Sequence, residues 1–292
     1  MSDHIAAVVV DHDAGPLLEG CVRSLLTEGA TVVVVENGAA GSAAAALRGI
    51  SDARPEPPPV RIVRPGCNVG FGAGVNRGLA ALAAEPAPPE WVLVCNPDVV
   101  VHRGSLAALR GVMESERTWA LAGPRILTEH GEVYPSVRNF PSFSDAAGHA
   151  LLALFNPENP FTLRYNPGTP EGDVVTPAGW VSGSCFLARR EALEQLGGFD
   201  ESYFMYCEEM DLCWRAHHAG WGVGFAGTAE VTHIQGVSTA RHPYKMMAAH
   251  HRSALRFTNR TTTGWRRAAL PLAVLVLGAR MGIATIRLAV SR

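Results

Sequence analysis

Residues 5–38 read IAAVVVDHDAGPLLEGCVRSLLTEGATVVVVENG. A short β-branched run, Ile5 to Val10, is followed by a helix-like stretch, Gly15 to Thr27, and then by a second β-branched run, Thr31 to Val35. A further helix-like stretch, Ala43 to Gly49, repeats the alternation, which is the rhythm of βαβ units and of a mostly parallel sheet. Outward from there come a Pro-rich loop (Ser51 to Pro59), a short strand (Val60 to Val63) and a Gly/Ala-rich helix (Gly72 to Ala84). A fully apolar strand, Trp91 to Cys95, then runs into Asn96-Pro97-Asp98. Each strand stops at a polar, turn-forming cluster: residues 11–13, 36–38, 66–74 and 96–98. In an open α/β fold these clusters share the carboxyl edge of one sheet, where ligands bind.

Beyond a helix at Ser105 to Met113 the pattern loosens, and Pro135 to Pro177 reads as a long loop region shaping an acceptor site. Order returns with a strand at Trp180 to Ala188, a helix at Glu191 to Gly197, and a helix at Glu208 to Ala219 stopped by Gly220. No internal repeat and no clean linker divides residues 1–240.

The 292 residues are 47% hydrophobic, ample for a real core. The net charge of −2 hides an asymmetry: residues 241–292 hold ten Lys or Arg and no acid, leaving 15 basic against 27 acidic residues in 1–240. A basic, acid-free segment calls for a polyanion, and its apolar content favours anionic lipid over nucleic acid. The apolar stretch Ala268 to Ala279 is short of the about 20 residues a spanning helix needs, unless Arg280 and Arg287 snorkel. A membrane-interfacial helix is therefore expected, with a true span and packing on the body as the other options. The six cysteines form no CxxC pair and read as reduced, packed thiols. The first residues lack a basic segment and a long apolar run, so a cytoplasmic body is expected, peripheral to the plasma membrane.

Four features carry chemistry. Asp98, at a strand end, suits a divalent cation held by hard oxygen ligands, although an Asp after Pro is also an ordinary turn former. Glu208, Glu209 and Asp211 follow an aromatic run and start a helix whose N-terminal dipole tolerates acids. They also form a set from which one carboxylate could serve as general base, its pKa raised by its neighbours. His233 ends a short strand and is either packed or a second metal ligand. The run Gly66 to Gly78 enters a helix and either faces a phosphate or ribose or serves close helix packing.

Taken in order, these pieces resemble the family 2 glycosyltransferases of GT-A fold. The resemblance lies in VVVDHDAGPLLEGCVRSLL, VVVENGAAGS, CNVGFGAGVNRGL, VLVCNPDVVV, the stretch from Trp180 to Trp221, and AEVTHIQG, covering most of Ala6 to Gly236. GPRILTEHGEVYPSVRNFPS and NPENPFTLRY are similar to bacterial rhamnosyltransferases that use dTDP-L-rhamnose and N-acetylglucosaminyl-diphospho-polyprenol. The resemblance implies a Rossmann-like, mostly parallel sheet flanked by helices, and inverting transfer in the building of a cell-wall or surface-polysaccharide linker. It also implies a cofactor, magnesium or manganese, and two substrates, a nucleotide-diphosphate sugar and a polyprenyl-diphosphate-linked acceptor, with no nucleic acid.

By the same resemblance Asp11 and Asp13 lie beside the nucleoside, Glu36 helps bind base or ribose, and Asn68, Gly70 and Asn76 shape the donor loop. Asp98 and His233 hold the metal, Glu209 is the base, Glu208 stands beside it, and Asp211 supports or orients the acceptor. Two departures stand out: Glu36 and Glu209 occupy positions where the family more often has Asp. Another donor, galactofuranosyl or hexosyl, and a catalytically silent sugar-nucleotide-binding scaffold stay open.

Overall fold

The computed structural model describes residues 4–51, 60–153, 156, 158–234 and 243–290. The main sheet has the order β3-β2-β1-β4-β10-β6-β11-β5, with β8 added on β11. Its strands are β1 (Ile5–Asp11), β2 (Thr31–Glu36), β3 (Val60–Val63), β4 (Trp91–Cys95), β5 (Val99–Val101), β6 (Trp119–Leu127), β8 (Val175–Pro177), β10 (Cys185–Arg189) and β11 (Gly222–His233). Two short strands, β7 (Val137–Arg138) and β9 (Trp180–Val181), pair separately. The half β3-β2-β1-β4 is parallel, as the βαβ rhythm requires. β10 then enters antiparallel between β4 and β6, so the second half is mixed.

Strand periodicity sorts the core into two layers. On β1, Ile5, Ala7 and Val9 face one side with Leu18, Cys21 and Leu25 of α1 (Pro16–Thr27). Ala6, Val8 and Val10 face the other, with Val75 and Leu82 of α4 (Phe71–Ala83). Between α1 and α4 the chain makes two short helices, α2 (Ser42–Ala46) and α3 (Arg48–Ser51), where the sequence reads as one. α5 (Ser105–Ser115) covers the first layer through Leu106, Leu109 and Met113. Cys21 and Cys95, with sulfurs 3.8 Å apart, are buried as small apolar groups.

The region from Pro135 to Pro177 is more ordered than its irregular sequence suggests. It contains β7, α6 (Phe143–Leu152), α7 (Pro160–Tyr165) and β8. Ser142 caps α6 by accepting the Asp145 N–H, and Asn159 caps α7 by accepting from Phe161 and Thr162. The expected single strand from Trp180 to Ala188 is split at Ser182 to Ser184 into β9 and β10. A short α8 (Arg190–Gln195) leads on to α9 (Glu208–His218).

α10 (Pro243–Thr261) lies within the basic C-terminal segment yet packs on the body. Phe257 is buried and stacks on Phe140 with ring centroids 6.3 Å apart, and the Ser253 hydroxyl donates to the Met205 carbonyl at 2.8 Å. α11 (Leu270–Val290) is different. The stretch Gly264–Ile286, with mean hydropathy 1.9, is long and apolar enough to cross a membrane, and no residue of its most apolar 18-residue window is buried. Its 21 helical residues span about 30 Å, so the twelve-residue apolar run is only part of a longer apolar helix.

Candidate active site

The carboxyl ends of β1, β2 and β4 open into a cleft of about 1560 Å³, lined by His12, Asn37, Asn68, Gly70, Asn96, Asp98 and His233. The far wall is built from α10 and α11, through Lys245, Arg252, Arg256, Asn259, Leu270 and Val274.

Asp98 and His233 arrive by different routes. The turn after β4 delivers Asp98, and the antiparallel pairing of β11 with β5 sets His233 opposite Val99. The Ile234 N–H donates to the Asp98 carbonyl at 2.9 Å, locking the two ends. As a result His233 Nε2 lies 3.1 Å from Asp98 Oδ1 and 3.4 Å from the Asn96 side-chain amide. His233 Nδ1 is buried with no hydrogen-bond partner among the described residues.

The donor-side loop is held by side-chain amides. Asn37 donates to Asn68 Oδ1 and to the Gly70 carbonyl, both at 3.1 Å, and accepts the Val69 N–H at 2.9 Å. Asn68 accepts the Gly70 N–H at 3.0 Å. Gly70 has φ +90°, and a Cβ there would overlap the Phe204 carbonyl oxygen, so only glycine fits. Within α4, by contrast, Gly74 and Gly78 meet Val10 and Val8 of β1, where any Cβ would collide. The glycine-rich run thus does both jobs: its loop borders the cleft and its helix packs on the sheet.

α9 begins under backbone strain. Tyr206 and Cys207 are non-glycine residues with φ 71° and 64°, consecutive in the left-handed region. Two such residues turn the chain so that Glu208 and Glu209 open the helix. Glu208 is buried, and one of its oxygens has no partner among the described residues. Burial, with Glu209 alongside, pushes its carboxyl well above the usual range. Glu209 is half-buried and lies against Gly183, the residue just before β10's edge. Burial raises its carboxyl too, but the first-turn N–H groups, the Arg138 guanidinium and the Gly183 N–H pull back. Burial and mutual repulsion thus raise both adjacent carboxyls, Glu208 the more strongly. Glu209 faces Arg138 and Gly183 and is not itself among the residues lining the large cleft.

Several of the residues expected to bind ligand make contacts within the protein. Asp211 is fully buried, with Arg215 Nε at 2.7 Å, Arg260 Nε at 3.1 Å and the Tyr203 hydroxyl at 3.5 Å. It ties α9 to α10. Glu36 accepts the Ala43 N–H at 3.0 Å and Arg64 Nε at 3.1 Å, which satisfies its carboxylate inside the protein. Burial raises its pKa, yet the Gly41 and Ala43 N–H groups and Arg64 outweigh that and leave it low. The extra methylene of Glu over Asp is what lets this carboxylate reach the start of α2. Asn76 uses both ends of its amide on Phe199 and also reaches Glu201, away from the cleft. Asp11 is buried and accepts the Ala14 N–H at 3.0 Å, and Asp13 accepts the Ala39 N–H at 2.8 Å. Both hold the loops around the cleft, and neither lines it.

The basic wall of α10 was not foreseen as part of the site. Its signal is present in the sequence as spacing: 245, 252, 256 and 259 fall on one helical face.

Residues 3–265 match the family model "Glycosyltransferase like family 2". The chain belongs to this family and is a glycosyltransferase. It is 40% identical over 283 residues to N-acetylglucosaminyl-diphospho-decaprenol L-rhamnosyltransferase of Mycobacterium tuberculosis H37Rv, covering 92% of this chain and 89% of that one. It is 32% identical over 157 residues to the rhamnosyltransferase WbbL of Escherichia coli K12, covering 52% of this chain and 55% of that one. Among solved structures it resembles the mannosyltransferase PcManGT of Pyrobaculum calidifontis, solved with GDP-Man and Mn2+, with TM-score 0.59 and 15% identity. That match covers 97% of this chain and 75% of the other and establishes the GT-A architecture of this glycosyltransferase.

Proposed function

We propose that the protein transfers L-rhamnose, with inversion, from dTDP-L-rhamnose to an N-acetylglucosaminyl-diphospho-polyprenol at the cytoplasmic face of a membrane. The observation that carries this choice of substrates is the end-to-end match, at 40% identity over 92% of the chain, to an enzyme named for that acceptor and that sugar.

Asp98 and His233 fit a divalent metal. A carboxylate oxygen and an imidazole nitrogen converge at 3.1 Å on the cleft, as two neighbouring ligands of one ion would. No third His, Cys, Asp or Glu joins them among the described residues, which leaves further positions for substrate oxygens and water. Magnesium or manganese held by Asp98 and His233 would supply positive charge to offset that of a diphosphate leaving group. Asn37, Asn68 and Gly70 fix the loop that borders the nucleotide, so little ordering remains to be done when donor binds.

Glu209 accepts the proton of the acceptor hydroxyl. Of the two adjacent glutamates it is the one whose anion Arg138 and the Gly183 and Met210 N–H groups favour, while burial pushes Glu208 further up. Single displacement at the anomeric carbon then inverts configuration. α11 holds the protein on the bilayer, where the acceptor's hydrocarbon resides.

The test is transfer from dTDP-L-rhamnose, UDP-galactofuranose or UDP-glucose onto a short-chain N-acetylglucosaminyl-diphospho-prenol, with and without magnesium. Metal-dependent rhamnosyl transfer abolished by Glu209→Gln supports the reading. Transfer from only another donor, or nucleotide binding without turnover, overturns it.

A further inference from the structure

α10 divides its cations between two faces. Arg260 is fully engaged, with Asp200 at 2.5 Å and Asp211 at 3.1 Å, on the side that packs against the body. Lys245, Arg252 and Arg256 instead line the cleft, and among the described residues none of them lies within ion-pair distance of a carboxylate. The Arg256 guanidinium rests on the Tyr203 ring, 5.8 Å from its centroid, which fixes its position without neutralising it. Three cations on one wall repel one another, and such an arrangement is relieved by a polyanion, best by one whose oxygens accept from guanidinium groups.

The cleft is also large. About 1560 Å³ exceeds the roughly 300–1,000 Å³ of a pocket for one small ligand, so there is room for more than a nucleotide sugar. On the reading above, one diphosphate is met at Asp98 and His233. The cations of α10 remain, and beside them the same cleft is lined by Leu270 and Val274 from the apolar helix α11. Cations next to exposed aliphatic side chains match an anionic headgroup joined to a hydrocarbon.

We propose that Lys245, Arg252 and Arg256 form a second anion-binding wall that takes the diphosphate of a lipid-linked acceptor, with Leu270 and Val274 seating the first carbons of its chain. The inference rests on the transferase reading of the cleft. It assigns residues that sugar transfer alone does not identify. Its specificity follows from charge: a diphosphate engages the wall more fully than a monophosphate, and a lipid-free head loses the aliphatic contacts.

The experiment is calorimetric binding without any donor sugar, using the full chain in detergent with magnesium. The probes are an N-acetylglucosaminyl-diphospho-prenol of two isoprene units, its monophosphate analogue, the lipid-free N-acetylglucosaminyl diphosphate, and dTDP. Wild type should prefer the diphosphate prenol to the monophosphate by about tenfold or more. Arg252→Gln with Arg256→Gln should erase that preference while leaving dTDP affinity and the thermal midpoint unchanged, and the paired Arg→Lys changes should restore most of it. Leu270→Gln with Val274→Gln should weaken the prenol probe but not the lipid-free one. If dTDP affinity falls instead, the wall serves the donor and the inference is wrong; unchanged affinity for every probe would equally overturn it. Because no transfer is measured, failure of rhamnosyl turnover elsewhere leaves this outcome separately readable.

Discussion

The Asp98 carboxylate and the His233 imidazole, 135 residues apart in the chain, stand 3.1 Å apart because β11 pairs with β5 in a register that places His233 opposite Val99. Such convergence on a cleft has a direct test. Asp98→Asn and His233→Ala should each weaken manganese binding, followed by electron paramagnetic resonance, and cut transfer by about a hundredfold or more. Chelation of wild type should abolish transfer, and added manganese should restore it. Full manganese affinity in both variants would remove these two residues from the metal site.

On the proposed reading Glu209 is the base and acts only when ionised, so activity should fall as pH drops through its pKa. Burial raises that pKa and Arg138 lowers it. Arg138→Met removes the lowering influence, and the acid limb of the kcat/KM profile should therefore move to higher pH. A shift to lower pH, or none, would show that Arg138 does not act on the base. Glu209→Gln should cost about 10²- to 10⁴-fold in kcat with the thermal midpoint preserved.

Asp211 calls for the opposite pattern. Its carboxylate is fully buried between Arg215 and Arg260, and Asp211→Ala leaves Arg215 only the Leu196 and Gly198 carbonyls and Arg260 only Asp200. Unfolding by urea should show a loss of about 1.5–3 kcal/mol. An Asp211→Ala protein as stable as wild type but inactive would return this residue to the chemistry.

Gly70→Ala places a methyl group against the Phe204 carbonyl in a backbone conformation that L side chains rarely adopt. The loop must shift and break the Asn37 and Asn68 hydrogen bonds that hold it. Donor-nucleotide affinity should fall by about tenfold or more, measured by titration calorimetry, while Gly111→Ala, where a Cβ meets nothing, should be silent.

The parallel half of the fold was legible because each strand is a short β-branched run that stops at a polar turn. The mixed half was not. β6 carries Gly123-Pro124 in its middle, a pair that reads as a break, yet its pairing with β11 continues around it through a register shift. β10 was readable as a strand but not as an antiparallel one, since direction depends on the path between Asp98 and Cys185. The region 135–177 hid its helices because α6 and α7 are short and begin at Ser and Asn caps amid prolines. The structure places Asp98, His233, Asn68 and Gly70 on the cleft wall and the Glu208-Glu209 pair off it. The sequence did not show that Glu36 and Asp11 accept backbone N–H groups of their own loops, since that depends on how the chain folds back onto each carboxylate.

The ion pair between Asp211 and Arg260 joins the helix that carries Glu209 to the helix that leads into α11. On the proposed reading this makes the enzyme a gauge of height. With α11 seated at a fixed depth in the lipid, Glu209 is carried at a fixed elevation above the headgroups. Only a hydroxyl presented at that elevation is within reach, so the length of the diphosphate-sugar stalk becomes a measured quantity, and an acceptor one sugar longer overshoots the base.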